Sequence, residues 1–100
     1  SPGQIARHYA PKIPIRIDAT DPRADEAYAA FGDPGANDAA ATLSLSPSGD
    51  VIEAAARLFA TLRALDRSEF AGIAVAPIPD VGIGRAVNDR LRRATAAHAD

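Results

Sequence analysis

The sequence predicts a small α/β domain of Rossmann-like type, with three layers, a parallel sheet and helices on both faces, preceded by an extended arm. Segments of strand length alternate with segments of helical periodicity, and one strand is almost continuously apolar, as in a central strand covered on both faces. The 100 residues suffice for one domain with one core. We therefore expect an arm over residues 1–14 and a domain over residues 15–100.

The arm is predicted to be extended because the first 14 residues contain three prolines, which fix φ and remove backbone donors. Gly3 adds a position that can take a positive φ. His8 and Tyr9 stand side by side on this irregular backbone, where binding groups are often presented. Two interpretations stay open: a tail packed against its own domain, or a functional arm. An extended segment of this kind has few internal contacts, so we expect it to be unordered without a partner domain.

The first half of the domain is predicted as strand, helix and strand. Branched apolar residues alternate with polar ones over residues 15–18, which indicates a strand. A helix is predicted over residues 24–31, after Pro22, because apolar residues recur on one helical side before Gly32. A turn-rich loop and a second strand at residues 40–45 follow.

The second half is predicted as helix, strand and helix. The clearest element is a helix over residues 51–66, with an apolar stripe at spacings of three and four and with Ser48 or Asp50 as its cap. Residues 70–76 form the apolar central strand, and residues 82–97 form the last helix. The order is therefore β-α-β-α-β-α, for which we favour the strand order 2-1-3.

Composition excludes several functions. A net charge of -2 and a pI of 5.6 argue against direct nucleic-acid or membrane binding, which requires concentrated lysine and arginine. Without cysteine there are no disulfides, thiolate zinc sites or cysteine nucleophiles, and only His8 and His98 could offer imidazole to a metal, so no metal site is expected. The chain has no signal peptide and no long apolar run, which predicts a soluble, cytoplasmic protein. It also lacks methionine, as expected for a piece of a longer protein or a processed terminus.

Candidate ligand loops lie where the strands end, because ligands of parallel sheets bind beyond the carboxyl ends of the strands. Ser46, Ser48 and Gly49 precede a helix, whose free amides suit an anion such as phosphate, although simple capping explains the same residues. Gly82 and Gly84 form a GxG that lacks the third glycine of a dinucleotide fingerprint. The candidate ligand-binding residues in these loops are therefore Ser46, Ser48, Gly49, Gly82 and Gly84.

The last helix carries a polar group consisting of Asn88, Asp89 and Arg90. Charged residues on a helix are usually solvated, so these residues suit a surface or a contact with another domain better than catalysis. No nucleophile, base and orienting group can be assembled from the sequence, so no catalytic residue is assigned in this chain.

Three stretches carry a resemblance to a known family. The chain begins Ser-Pro-Gly and continues with His-Tyr-Ala-Pro at residues 8–11; LSLSPSGD follows at residues 43–50 and APIPDVGIGRAVNDRL at residues 76–91. Over essentially its whole length the chain resembles the linker and C-terminal domain of the long, two-domain L-threonylcarbamoyladenylate synthases, whose N-terminal catalytic domain is of the YrdC type.

The resemblance implies an enzyme that joins L-threonine, bicarbonate and ATP into threonylcarbamoyl-AMP and pyrophosphate, for the threonylcarbamoyladenosine modification of tRNA. In that family the linker crosses the mouth of the catalytic pocket. By motif match, the residues expected to close the pocket are Pro2, Gly3, His8, Tyr9 and Pro11. Gln4 and Ala6 stand where the family often has a methionine and an aromatic residue.

The resemblance also implies how this chain would work. It would be an accessory or regulatory domain of a nucleotidyltransferase, inactive alone, whose partner is its own N-terminal catalytic domain. The full-length enzyme would use ATP and Mg²⁺, with no cofactor bound by this chain. Two alternatives remain: a small-molecule or nucleotide binding module, and a pure interdomain interaction domain that docks on the catalytic domain or on a second copy.

Overall fold

The computed structural model describes residues 10–96. It contains four strands and two helices: β1 Ile15–Arg16, β2 Glu26–Ala30, β3 Ala41–Ser44, α1 Val51–Leu65, β4 Gly72–Val75 and α2 Ile83–Ala96. All strand pairs are parallel, and the sheet order is β1-β4-β2-β3. The predicted α/β class with a parallel, Rossmann-like sheet is confirmed. Pro2, Gly3, His8, Tyr9 and His98, and the expected lack of order in the arm, lie outside the described residues.

The helix predicted over residues 24–31 is wrong, because this segment contains the strand β2. All five residues of β2 are buried, and they pair with β3 on one side and with β4 on the other. A strand buried on both faces shows no polar alternation, and its alanine content suggested a helix instead. The hydrogen bonds that β2 forms with a neighbouring strand on each side outweigh the helix propensity of its alanines. The element order is therefore β-β-β-α-β-α.

The strand order 2-1-3 is also wrong. It placed the first strand in the centre, whereas β1 is a two-residue strand that pairs with β4 at the end of the sheet. The additional strand β2 takes a central place beside β4, since Ala27 pairs with Ala41 on one side and with Ile73 on the other. β4 itself is fully buried, as predicted for the apolar segment over residues 70–76.

Both helices pack on one face of the sheet, which differs from the expected helices on both faces. The predicted helix that would have covered the second face is the strand β2, so no described helix lies there. Leucine side chains of α1 fill much of the core, and each fully buried leucine contributes about 1.5–3 kcal/mol. The buried residues of this face are Ile15, Ala27, Ala29, Leu45, Ala54, Leu58, Leu62, Leu65, Ile73, Val75, Ile78, Val87, Leu91 and Ala94.

The opposite face of the sheet is covered by loops and is called here the helix-free face. Tyr28 lies among small residues on it, with Ala30 beside it on the same strand and Ala74 on β4. Ala19 and Ala39, from the β1–β2 and β2–β3 connections, pack against the same cluster. The alanines leave room for these connections to lie close to the sheet.

Candidate functional site

The base of the predicted arm is bound to the C-terminal end of α1. The Lys12 amide donates to both carboxylate oxygens of Asp66 at 3.0 and 2.9 Å, and the Ile13 amide donates to Oδ1 at 3.2 Å. Pro11 is fully buried, and the Pro14 carbonyl accepts from the amide of Ile73 at 2.8 Å. We call Pro11, Lys12, Ile13 and Asp66 the arm anchor.

The amides of Lys12 and Ile13 stabilise the Asp66 carboxylate at an unfavourable place on the helix. Asp66 is the C-cap of α1, where the helix dipole disfavours a carboxylate. The amides of Lys12 and Ile13 offset this charge with hydrogen bonds to an ionised acceptor, which are stronger than those between neutral groups. Of the five predicted pocket-closing residues, only Pro11 is described, and it belongs to the anchor.

The turn before α1 is held by its own side chains. The buried Ser46 hydroxyl donates to Glu53 Oε1 at 2.5 Å and accepts from the Asp50 amide at 2.8 Å; Ser48 Oγ lies 3.4 Å away. Asp50 is the N-cap, and its carboxylate accepts from the Ile52 amide at 2.9 Å. Capping, the structural alternative for this loop, thus accounts for Ser46 and Asp50.

The charge at this turn is negative. The Asp50 and Glu53 carboxylates lie in the cap and first turn of α1, where a bound phosphate would have to sit. Gly49 has a φ of +77°, which suits glycine at the turn. The assignment of Ser46, Ser48 and Gly49 to a ligand loop stays a prediction, and the two carboxylates disfavour an anion there.

Gly84 is required by close packing. A Cβ atom at this position would lie 1.9 Å from the Pro79 carbonyl oxygen. The Asn88 side chain holds the same connection, because its Nδ2 donates to the Ile78 carbonyl at 3.0 Å and to Asp80 Oδ1 at 3.2 Å. Gly82, with a φ of +55°, lies in the turn that leads into α2. The GxG at the start of α2 thus has a structural explanation, and its role in ligand binding stays a prediction.

The predicted interdomain group has partners within the chain. Asn88 binds the connection before α2, and Asp89 Oδ2 lies 2.9 Å from Arg93 Nη2. The Arg90 guanidinium lies 4.9 Å from the ring centroid of Phe59, in cation–π contact between the two helices. A contact with another domain stays a prediction for these residues.

An ion pair on the helix-free face was not predicted from the sequence. Arg16 Nε donates to Glu26 Oε2 at 3.1 Å and Nη2 to Oε1 at 2.7 Å, while the Arg23 amide also donates to Oε1 at 2.9 Å. The hydrogen bond from Arg16 is the main cause that lowers the pKa of Glu26, and it also raises the pKa of Arg16. The sequence did not indicate this ion pair because Glu26 was assigned to a helix, whereas the contact requires it to lie on a strand of the same sheet as Arg16.

The fold and these contacts define a class: a small parallel α/β domain whose residues 11–13 are held against the C-terminal end of α1. Within residues 10–96 there is no group of three or more histidines, cysteines or acidic residues that could hold a metal ion. No helix in that part of the chain has both the length and the apolar composition needed to cross a membrane.

Comparison with protein families matches residues 1–96 to the family described as "Threonylcarbamoyl-AMP synthase, C-terminal domain". The chain therefore belongs to this family of C-terminal domains. Comparisons with curated proteins and with solved structures gave no match.

Proposed function

We propose that the chain is the accessory domain of a threonylcarbamoyl-AMP synthase and positions its arm to close the active site of the upstream catalytic domain. The family match supports the enzyme, and the arm anchor supports the role of the arm. The anchor is the observation that carries the proposal, because a closing segment needs a fixed point on a rigid domain.

Closing the pocket has a clear chemical purpose. The proposed reaction forms a carbamate from L-threonine and bicarbonate and then a mixed anhydride with the AMP of ATP, with release of pyrophosphate. Both intermediates react with water, so a segment across the pocket protects them. His8 and Tyr9 would donate hydrogen bonds to carboxylate or phosphate oxygens, and Pro2, Gly3 and Pro11 would shape the backbone.

The remaining parts of the reaction belong to the catalytic domain in this proposal. ATP and Mg²⁺ would bind there, and the product would serve the threonylcarbamoyladenosine modification of tRNA in the cytoplasm. The acidic turn at Asp50 and Glu53 supports this division, since it suits a nucleotide phosphate poorly.

The test uses the two-domain enzyme, with pyrophosphate release from ATP, L-threonine and bicarbonate as the readout. We expect His8→Ala and Asp66→Ala each to lower the rate about tenfold to a hundredfold, because a misplaced closing group loses its alignment. Glu69→Ala is the matched control near Asp66, since Glu69 is exposed and pairs only with Arg67 among the contacts described. The isolated chain should release no pyrophosphate. Activity of the isolated chain, or wild-type rates in His8→Ala, would overturn the proposal.

A second candidate function, docking on the catalytic domain, is favoured by an apolar patch. Ile52, Val81 and Ile83 are 67%, 62% and 44% exposed at the adjoining N-terminal ends of α1 and α2. Ile83 also lines a groove of about 340 Å³ between the helices, together with Phe59 and Arg90. Exposed apolar groups of this kind often mark an interaction surface.

Small-angle scattering from the two-domain enzyme tests this docking. We expect a compact particle for the wild type and an expanded one for the double variant Ile52→Ser/Val81→Ser. Leu43→Ser is the control, since Leu43 is 42% exposed outside this patch. Equal dimensions for all three proteins, or independent motion of the domains in the wild type, would rule out docking through the patch.

A further inference from the structure

A cavity of about 380 Å³ lies over the helix-free face, between the β1–β2 and β2–β3 connections. Thr20 and Asp21 line it from the first connection, Asn37 and Asp38 line it from the second, and Tyr28 lines it from β2. This volume is in the range of small-molecule sites. It is separate from the arm anchor and from the turns before α1 and α2.

Tyr28 supplies a buried polar group to this cavity. The residue is only 8% exposed, and its hydroxyl makes no hydrogen bond to any other residue within the described range 10–96. The main chain of Tyr28 lies in the sheet between Thr42 and Ala74, so the side chain is the part that lines a cavity above the sheet. Burial raises the pKa of this phenol, which therefore stays protonated at neutral pH. Tyr28 lines the cavity, so a ligand bound there would supply its hydroxyl with a hydrogen-bond partner.

The groups around Tyr28 favour a cation. Asp21 and Asp38 bring two carboxylates, and no arginine or lysine is among the residues that line the cavity. Arg16, whose charge interacts with Asp21, is paired with Glu26. The amide nitrogen of Asn37 is also engaged, because it donates to the Gly35 carbonyl at 3.3 Å. Residues 15–50 as a whole contain seven acidic residues and two arginines. The cavity therefore offers acceptors and negative potential.

We propose that this cavity binds a small free organic cation, an ammonium or guanidinium compound, between the carboxylates of Asp21 and Asp38 with the Tyr28 hydroxyl as a third partner. Carboxylates bind such cations through charge-assisted hydrogen bonds, and an aromatic ring adds cation–π attraction. A metal ion fits less well, since no described cluster has three acidic or histidine ligands.

The test is a titration of the isolated chain followed by the amide NMR signals of residues 20–21 and 35–38. Agmatine and n-butylammonium are the probes, n-butanol is the neutral control, and potassium chloride matches the ionic strength. We expect saturable shifts confined to these two connections for the cations, with dissociation constants of about 1 mM, as is typical of small fragments.

Three variants distinguish binding at this cavity from nonspecific attraction of the cations to the negatively charged chain. Asp21→Asn/Asp38→Asn should weaken binding at least about tenfold, and Tyr28→Phe about threefold to tenfold, which corresponds to one hydrogen bond. Asp25→Asn removes one negative charge, as each substitution of the double variant does, but Asp25 lines a different cavity, so the affinity of this variant should equal that of the wild type. Tyr28→Phe keeps the ring, and its folding is checked by thermal unfolding.

Four results would overturn the proposal: no saturable shift with either cation, equal shifts with n-butanol or potassium chloride, equal weakening by Asp25→Asn, or displacement of the probes by millimolar Mg²⁺. The catalytic proposal is unaffected by these outcomes, since its test measures pyrophosphate release.

Discussion

The guanidinium of Arg16 crosses β4 to reach both carboxylate oxygens of Glu26. Arg16 is on the end strand β1 and Glu26 is on β2, with β4 between them. The crossing is possible because Gly72 and Ala74 are the small residues that β4 presents at the paired positions. The ion pair therefore connects three strands on a face that lacks helices.

Removing the cation should destabilise the domain. In Arg16→Met the Glu26 carboxylate, whose side chain is 6% exposed, loses two donors. We expect the free energy of unfolding to fall by about 1–3 kcal/mol in urea titrations, the cost of leaving a buried acceptor unsatisfied. The control Arg93→Met breaks an exposed pair with Asp89 and should have almost no effect. Equal losses in both variants would contradict a special role for the crossing pair.

The same pair predicts sensitivity to acid. The pKa of Glu26 is lowered below its ordinary value of 4.5, chiefly by the hydrogen bond from Arg16. The unfolded state therefore binds a proton at a higher pH than the folded state, and this part of the stability is present above pH 4.5 and lost as the pH falls through the folded pKa. Urea titrations from pH 6 to pH 3 should show a smaller loss of stability in Glu26→Gln than in the wild type. Parallel curves for the two proteins would refute this linkage.

Gly84→Ala should be strongly destabilising. The added Cβ would meet the Pro79 carbonyl oxygen at 1.9 Å, so the connection before α2 would have to move. We expect a loss of about 3 kcal/mol in thermal or urea unfolding, as for overpacking of a closely packed region. Gly35→Ala is the comparison, because its φ is +62° but nothing lies within 4 Å of the new atom. Its loss should be about 1 kcal/mol, from backbone strain alone. If Gly35→Ala lost more stability than Gly84→Ala, backbone strain rather than the contact with Pro79 would be the dominant cost.

Asp66→Ala should release the arm anchor while leaving the core folded. The amides of Lys12 and Ile13 would lose their acceptor, so their hydrogen exchange should become faster, and the free energy of unfolding should fall by about 1–2 kcal/mol. Exchange of the Ile73 amide, bound to the Pro14 carbonyl, should change much less. Glu69→Ala should leave both sites unchanged. Unaltered exchange at Lys12 in Asp66→Ala would mean that other contacts fix this segment.

Periodicity predicted the long elements well. The stripe of α1 and the continuous apolar run of β4 are determined by burial along many residues, and both lie where the sequence indicated. The cap at Asp50 also follows from local chemistry. The main error was β2, because a five-residue strand rich in alanine is equally compatible with a helix until its two neighbours are known.

The error in β2 also concealed the features of the helix-free face. The contact between Arg16 and Glu26, and the cavity beside Tyr28, join residues from different strands and connections. Strand order decides which of these residues meet, and a single sequence does not specify that order. The arm anchor was missed for a similar reason, since Lys12 and Asp66 are 54 positions apart.

The arm anchor sets a geometric limit on what the arm can reach. An extended chain spans at most about 3.3–3.6 Å per residue, so His8, three positions before Pro11, lies within about 11 Å of the anchor in any conformation. The apolar patch is at the other end of α1, a helix of 15 residues and therefore about 22 Å long. A partner that receives His8 and also covers the patch must therefore extend along at least about half of this helix, about 11 Å.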